Sequence, residues 1–229
     1  IDGREFPFID NTITQFDATT GCILFHKSVT EILIENDLTH VLIKSDSPGD
    51  PLHINDIQPV LEDGPFMKKG DVLISSRTSS WIMHYRPATG EVVELIEGPF
   101  SSQHDVDIES DSTIIFFNNA GQTLKGERPD AHRLAKELLV VDAQYSGVQR
   151  YYLQSGRFER IYPELFTDNE IFSFTESLVD ALPGGGYYIE EQNSSVLWIL
   201  KDGEVKYKNI LPSQHEGHHH LANWGRVMP

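Results

Sequence analysis

His53 and His104 open two runs of one form, His53-Ile54-Asn55-Asp56-Ile57 and His104-Asp105-Val106-Asp107-Ile108. An imidazole changes charge near neutral pH, so such a pair can donate to an anion, move a proton or ligate a metal. The bland alternative for both is a backbone hydrogen bond inside a narrow channel. A second His source lies at His218-His219-His220. Alternation along a strand sends His218 and His220 to one face. With His53 and His104 they would make a set of neutral imidazoles suited to zinc, iron or copper; a solvated His-rich loop is the competing account. Arg77 closes the run LISSR, where it either reaches an anion or sits on the surface.

The elements that must position these residues are short. Between Pro51 and Asp107 four apolar-rich runs are broken by Gly70-Asp71 and Pro87-Ala88-Thr89-Gly90. Four strands joined by tight turns make a propeller blade, and first strands line the propeller axis. Gly21, Gly90, Gly156 and Gly203 sit in DATTG, PATG, QSG and KDG, each ahead of an outer strand, and return every 47 to 69 residues. Such a period belongs to a propeller rather than a solenoid. Residues 1–27 offer three strands (FPFID, TITQFD, CILFHKS) without a first one, and 218–228 offer a first strand without a blade. Joining them would close a ring and hide both sheet edges. The expectation is one all-β propeller domain over 1–229, of four four-stranded blades closed by the 218–228 strand. Residues 28–50, readable as two strands or an amphipathic helix, could supply half of a fifth blade.

Composition narrows the partners. Eighteen Lys and Arg stand against 35 Asp and Glu, a formal charge of -17. Counterion release needs clustered cations, so no nucleic-acid or membrane partner is expected. Any anion site must therefore be locally positive. No run is long enough to span a bilayer, no signal peptide is visible, and the first residue is Ile, as in a processed or cut chain. Cys22 stands alone, which excludes an internal disulfide; it is expected to be a buried small hydrophobe. Trp81, Trp198 and Trp224 sit in apolar runs as packing residues, as do Tyr187 and Tyr188. Glu190 and Glu191 are adjacent and must face opposite ways in a strand. No phosphate-cradling Gly-rich loop, Ser nucleophile elbow or Cys metal motif is present.

The segments DPLHINDI, LISSR, GPFSSQHDVDI, IIFFNN and SLVDALPGGG resemble the arylsulfotransferase family, over about residues 10–210 and best over 50–120. The resemblance implies a propeller enzyme, six-bladed in the family, that moves a sulfuryl group from an aryl sulfate to a phenol without a nucleotide donor. It implies no cofactor (a transition metal is the alternative above) and an extracytoplasmic location. It makes His53 and His104 catalytic candidates and Asn55 a ligand-binding one. The family Arg that follows the strand end at Asn119 has Lys125 or Arg128 as its nearest counterpart, so Asn119 and Arg128 join Arg77 as anion-binding candidates. The family's covalent His belongs in the blade that reads YYIEEQNSS here, and 171–200 contains no His. The carrier role then falls to His104 or to a His of 218–220, with His218 and His220 favoured by alternation. The other outcome is a non-catalytic or metal-binding propeller that takes a small ligand or protein at the same mouth.

Overall fold

Each sheet is an antiparallel meander whose last strand follows a left-handed glycine. The computed structural model describes residues 7–43, 45, 47, 49–119, 146–222 and 224–227. Gly21, Gly90, Gly156 and Gly203 have φ of 71°, 75°, 65° and 71°, and precede β2 (Ile23–Ser28), β6 (Glu91–Ile96), β10 (Arg157–Ile161) and β14 (Glu204–Ile210). Only glycine enters that region without a steric cost. In three of these turns the glycine N–H returns to the carbonyl four residues back, at Asp17, Arg86 and Tyr152. The returning glycine is thus one repeated piece of turn chemistry.

Contacts divide the chain into one unit of 1–63 with 67–97 and another of 64–66 with 98–229. In the first, β1 (Thr12–Phe16) pairs with β2, and β3 (Ile54–Pro59), β4 (Val72–Ser76), β5 (Trp81–Arg86) and β6 form a four-stranded sheet in chain order. Between them residues 28–43 resolve the ambiguity in favour of helix: α1 (Val29–Glu35) and a single turn, α2 (His40–Ile43). Ser28 caps α1 by accepting the Glu31 N–H at 3.0 Å, the Ser-x-x-Glu start of a helix. Val29, Ile32 and Leu33 share its buried face and pack with Leu52, Ile74, Trp81 and Met83. Asn36 ends the helix, donating to Ile32 O and Gly90 O and accepting from Val92 N–H.

The second unit holds two four-stranded meanders, β7 (His104–Ile108), β8 (Thr113–Asn118), β9 (Gly147–Tyr152) and β10, then β11 (Ser177–Ala181), β12 (Tyr187–Glu191), β13 (Val196–Lys201) and β14, with the short α3 (Pro163–Asp168) between. Every residue of β8 is buried. Ile115 and Phe117 join Val179, Ile189 and Trp198 in the core, while Phe116 meets Phe100 edge-on at 4.9 Å. One polar clamp ties the two sheets. Arg150 donates to both Glu109 oxygens at 2.6 Å and to Tyr187 Oη at 2.6 Å, and Tyr187 donates to Glu109 at 2.7 Å.

Several sequence expectations fail here. Residues 218–228 form no strand among the described residues, β1 pairs only with β2, and no ring closes through that pairing. The reason is visible: Gly225 and Arg226 bond to Glu190 and Asp105 instead. The described part of FPFID is not a strand either, and 28–43 adds helix rather than half a blade. Cys22 is exposed, beside a turn rather than in the core. Trp81 and Trp198 are buried, but Trp224 is half exposed.

Asp71, behind the β3–β4 turn, accepts from Arg86 twice at 2.9 Å, from His84 Nε2 at 2.8 Å and from Lys68 N–H at 2.9 Å. Burial opposes its charge, but these donors outweigh it and hold its pKa down at about 2. A depressed carboxyl stabilises the fold above its unfolded pKa of about 4 and loses that contribution as pH falls toward 2. Asp71→Asn should therefore cost about 2 kcal/mol in urea unfolding at pH 7, with the gap to wild type closing between about pH 4 and pH 2.

Candidate functional site

The two repeat histidines start their strands in the same manner. At His53 φ is +48°, and at Asp105, one residue after His104, it is +55°. Behind each, the pairing slips: between Ile54 and Asp56 on β3 and between His104 and Asp107 on β7. A bulge re-aims side chains at a strand end, which is why bulges gather at working sites. A left-handed non-glycine costs of order 1 kcal/mol and persists only where surroundings impose it. At His53 the surroundings are Asp50, whose Oδ1 accepts the His53 N–H at 3.1 Å and whose Oδ2 lies 2.6 Å from Nδ1. At Asp105 they are the Val179 N–H, donated to Oδ2 at 2.7 Å across 74 residues of sequence.

The histidine rings are held alike. His104 Nδ1 lies 3.1 Å from the Ser102 carbonyl, as His53 Nδ1 lies on Asp50. Carboxylate and carbonyl oxygens only accept, so Nδ1 carries the hydrogen in both, and the neutral ring keeps its lone pair on Nε2. His104 is buried, whereas the His53 side chain is 42% exposed. Near His53, Asn55 occupies the bulge and Arg77 donates its N–H to the His53 carbonyl at 3.0 Å. In the second unit Asn119 is fully buried, and its side-chain amide has no partner among the described residues. Arg128 lies outside the described residues.

The later histidines behave differently. His218, His219 and His220 are exposed. His218 Nδ1 meets Glu216 O at 3.0 Å, His219 Nε2 donates to Asn193 O at 3.1 Å, and the His220 N–H reaches Leu211 O. They belong to a bent loop, so strand alternation does not apply to His218 and His220. Among the described residues no three His, Cys, Asp or Glu side chains are grouped to hold a metal.

Residues 2–193 match the arylsulfotransferase (ASST) family. The chain belongs to the arylsulfotransferase family. His53, Asn55, Arg77, His104 and Asn119 lie inside the matched span, and His218 and His220 lie beyond it. No curated protein matches the chain. Among solved structures it is similar to the WD40 β-propeller domain of Doa1 (14% identity, TM-score 0.44, 70% of this chain and 41% of that one). It is also similar to virginiamycin B lyase from Staphylococcus aureus (15% identity, TM-score 0.40, 69% and 45%). The chain thus spans less than half of either structure.

Sequence reasoning missed the acidic set around Asp105. Asp105 is 2% exposed and faces Arg226 at 3.3 Å; Arg226 also lies 3.5 Å from Asp180. Asp107 hydrogen-bonds Asp180. Burial raises the Asp180 carboxyl, helped by Glu190 and opposed by Arg226 and Asp107, and it stays above its ordinary range. Glu190, 1% exposed, accepts from Gln192 at 2.7 Å and from the Gly225 N–H at 2.7 Å. A signal was available: His-Ile-Asn-Asp, His-Asp-Val-Asp and Ser-Leu-Val-Asp start the three first strands, placing Asp56, Asp107 and Asp180 at one repeat position. Ser177 there takes the place of a histidine.

The Asp105 carboxylate is the part most open to a stability test. Asp105→Ala leaves the buried Val179 N–H unpaired and should cost about 2–3 kcal/mol in urea unfolding. Asp105→Asn keeps an acceptor and tolerates positive φ, so it should recover about half of that loss.

Proposed function

We propose that this family member moves a sulfuryl group between phenolic compounds, with His104 as the group's carrier. Family membership supports the reaction class. The observation that carries the residue assignment is the shared fixation of His53 and His104 through Nδ1 beside a bulge. In each ring the upstream acceptor fixes a tautomer with Nε2 as the nucleophilic nitrogen, the nucleophile-and-orienter logic of covalent catalysis. His104 is preferred to His218 and His220 because it is buried on a strand start within the family span, and they are not.

The steps balance without a further reagent. His104 Nε2 attacks sulfur, the sulfur–aryl oxygen bond breaks, and the phenol leaves after taking up a proton. The acceptor phenol then attacks sulfur as it loses its proton, and the nitrogen–sulfur bond breaks. Charge grows on the departing aryl oxygen in the first step, so a positioned donor there speeds it. Asn119, fully buried in the same unit as His104, is the polar side chain this reading assigns to that role.

One observation favours a second reading. The first strands of the second unit carry Asp105, Asp107 and Asp180, with Glu190 beside them on β12, a charge that repels sulfate and suits a non-catalytic ligand-binding protein. Transfer from 4-nitrophenyl sulfate to phenol separates the two. Nitrophenolate release should depend on acceptor and fall by about 10²–10⁴-fold in His104→Ala, with His218→Ala and His220→Ala near wild type. No release with any phenol from a folded protein would select the binding reading.

A further inference from the structure

After β14 the chain runs back as a strap. Pro212 and His219 form a bridge, and the His220 N–H returns to Leu211 O at 3.1 Å. Beyond that bend the apolar side chains of the strap stay in solvent: Leu221 is 67% exposed, Trp224 50% and Val227 43%. Burial of apolar surface therefore does little to hold this end down. Its anchors are polar, the Gly225 N–H on Glu190 and the Arg226 guanidinium bridging Asp105 and Asp180.

The approach is close enough to demand glycine. A Cβ at Gly225 would fall 2.5 Å from Glu190 Oε2 and 2.7 Å from Tyr188 Oη. Arg226 is 40% exposed while Asp105 is 2% exposed, so the guanidinium forms the solvent-facing half of the ion pair and covers the carboxylate. We propose that Gly225–Arg226 is a releasable latch: Arg226 closes the strap over the carboxylates of β7 and β11, and mild acid or high salt opens it. Opening uncovers the Asp105 carboxylate on β7, next to His104. The latch stands independently of sulfuryl transfer, since it would gate a bound ligand as well as a substrate.

The sensitivity follows from what faces the guanidinium. These groups are Asp105 and Asp107 from β7, Asp180 from β11 and Tyr188 from β12, while Glu190 of β12 holds the neighbouring Gly225 N–H. Burial, with Glu190, raises Asp180 above the ordinary carboxylate range, while Arg226 lowers it. Docking of Arg226 therefore favours the charged carboxyl and releases a proton, so protonating Asp180 weakens docking. Salt screens a partly exposed pair in the same direction.

The test is the solvent exchange of the Gly225 amide by NMR, expressed as protection relative to the free-peptide rate, with the Ile189 amide of β12 as internal control. Arg226→Gln should lower Gly225 protection at least tenfold and leave Ile189 unchanged. In wild type a selective loss in the same direction should follow acidification from pH 7 through the carboxylate range, or addition of 0.5 M NaCl at pH 7. Gly225→Ala should strip protection from the backbone amide at that position with every charge intact. Gly225 protection that survives in Arg226→Gln overturns the latch. So does protection lost equally at Ile189, which would make Arg226 a rivet of the whole unit.

Discussion

A carboxylate beside each repeat histidine accepts a backbone N–H, and that contact holds the local backbone. Asp50 does this for His53, and Asp105 does it for Val179. In each place the chain passes through left-handed backbone that a β-branched residue would resist, and in each a histidine is delivered at the mouth of the strand. Each register slip lies just behind its histidine, between Ile54 and Asp56 and between His104 and Asp107.

Their charge creates the opposing constraint. Four acidic side chains lie around Arg226 in the second unit, in a chain already at -17. A single guanidinium cannot neutralise them all, so protons and hydrogen bonds carry the remainder: Asp107 bonds Asp180, and Gln192, Tyr188 and Gly225 serve Glu190. An anionic substrate entering here is opposed by this field unless Arg226 turns toward it.

The parts of this structure legible in the sequence are those decided within a few residues. The four turn glycines announce themselves because left-handed φ is a local demand, and the three complete meanders follow from them. The amphipathic face of α1 is equally local, but seven residues of apolar spacing fit a strand almost as well; the Ser28 cap and packing on Leu52 and Trp81 select the helix. The paired histidines were visible as types at matching places. What could not be seen was which oxygen holds them, because Asp50 precedes His53 across a turn whose shape the sequence leaves open. Arg226 meets Asp105 across 121 residues, and no periodicity encodes such a contact. The expected 218–228 strand failed for the same reason: alternation describes a strand only once a neighbour offers an edge.

The contrast between His104 and the 218–220 run is one of how firmly a histidine ring is held. All are imidazoles, and three in a row look richer in chemistry than one. Yet each of the three bonds to loop backbone and stays in solvent, where a free ring gains little directional control. His104 is buried, tethered through Nδ1, and seated between a bulge and a fully buried strand, β8. Orientation of a nucleophile comes from such over-determination of its ring. The proposed carrier role requires one nitrogen held in one direction through both halves of a transfer, and His104, tethered on a packed strand start, is held in that way.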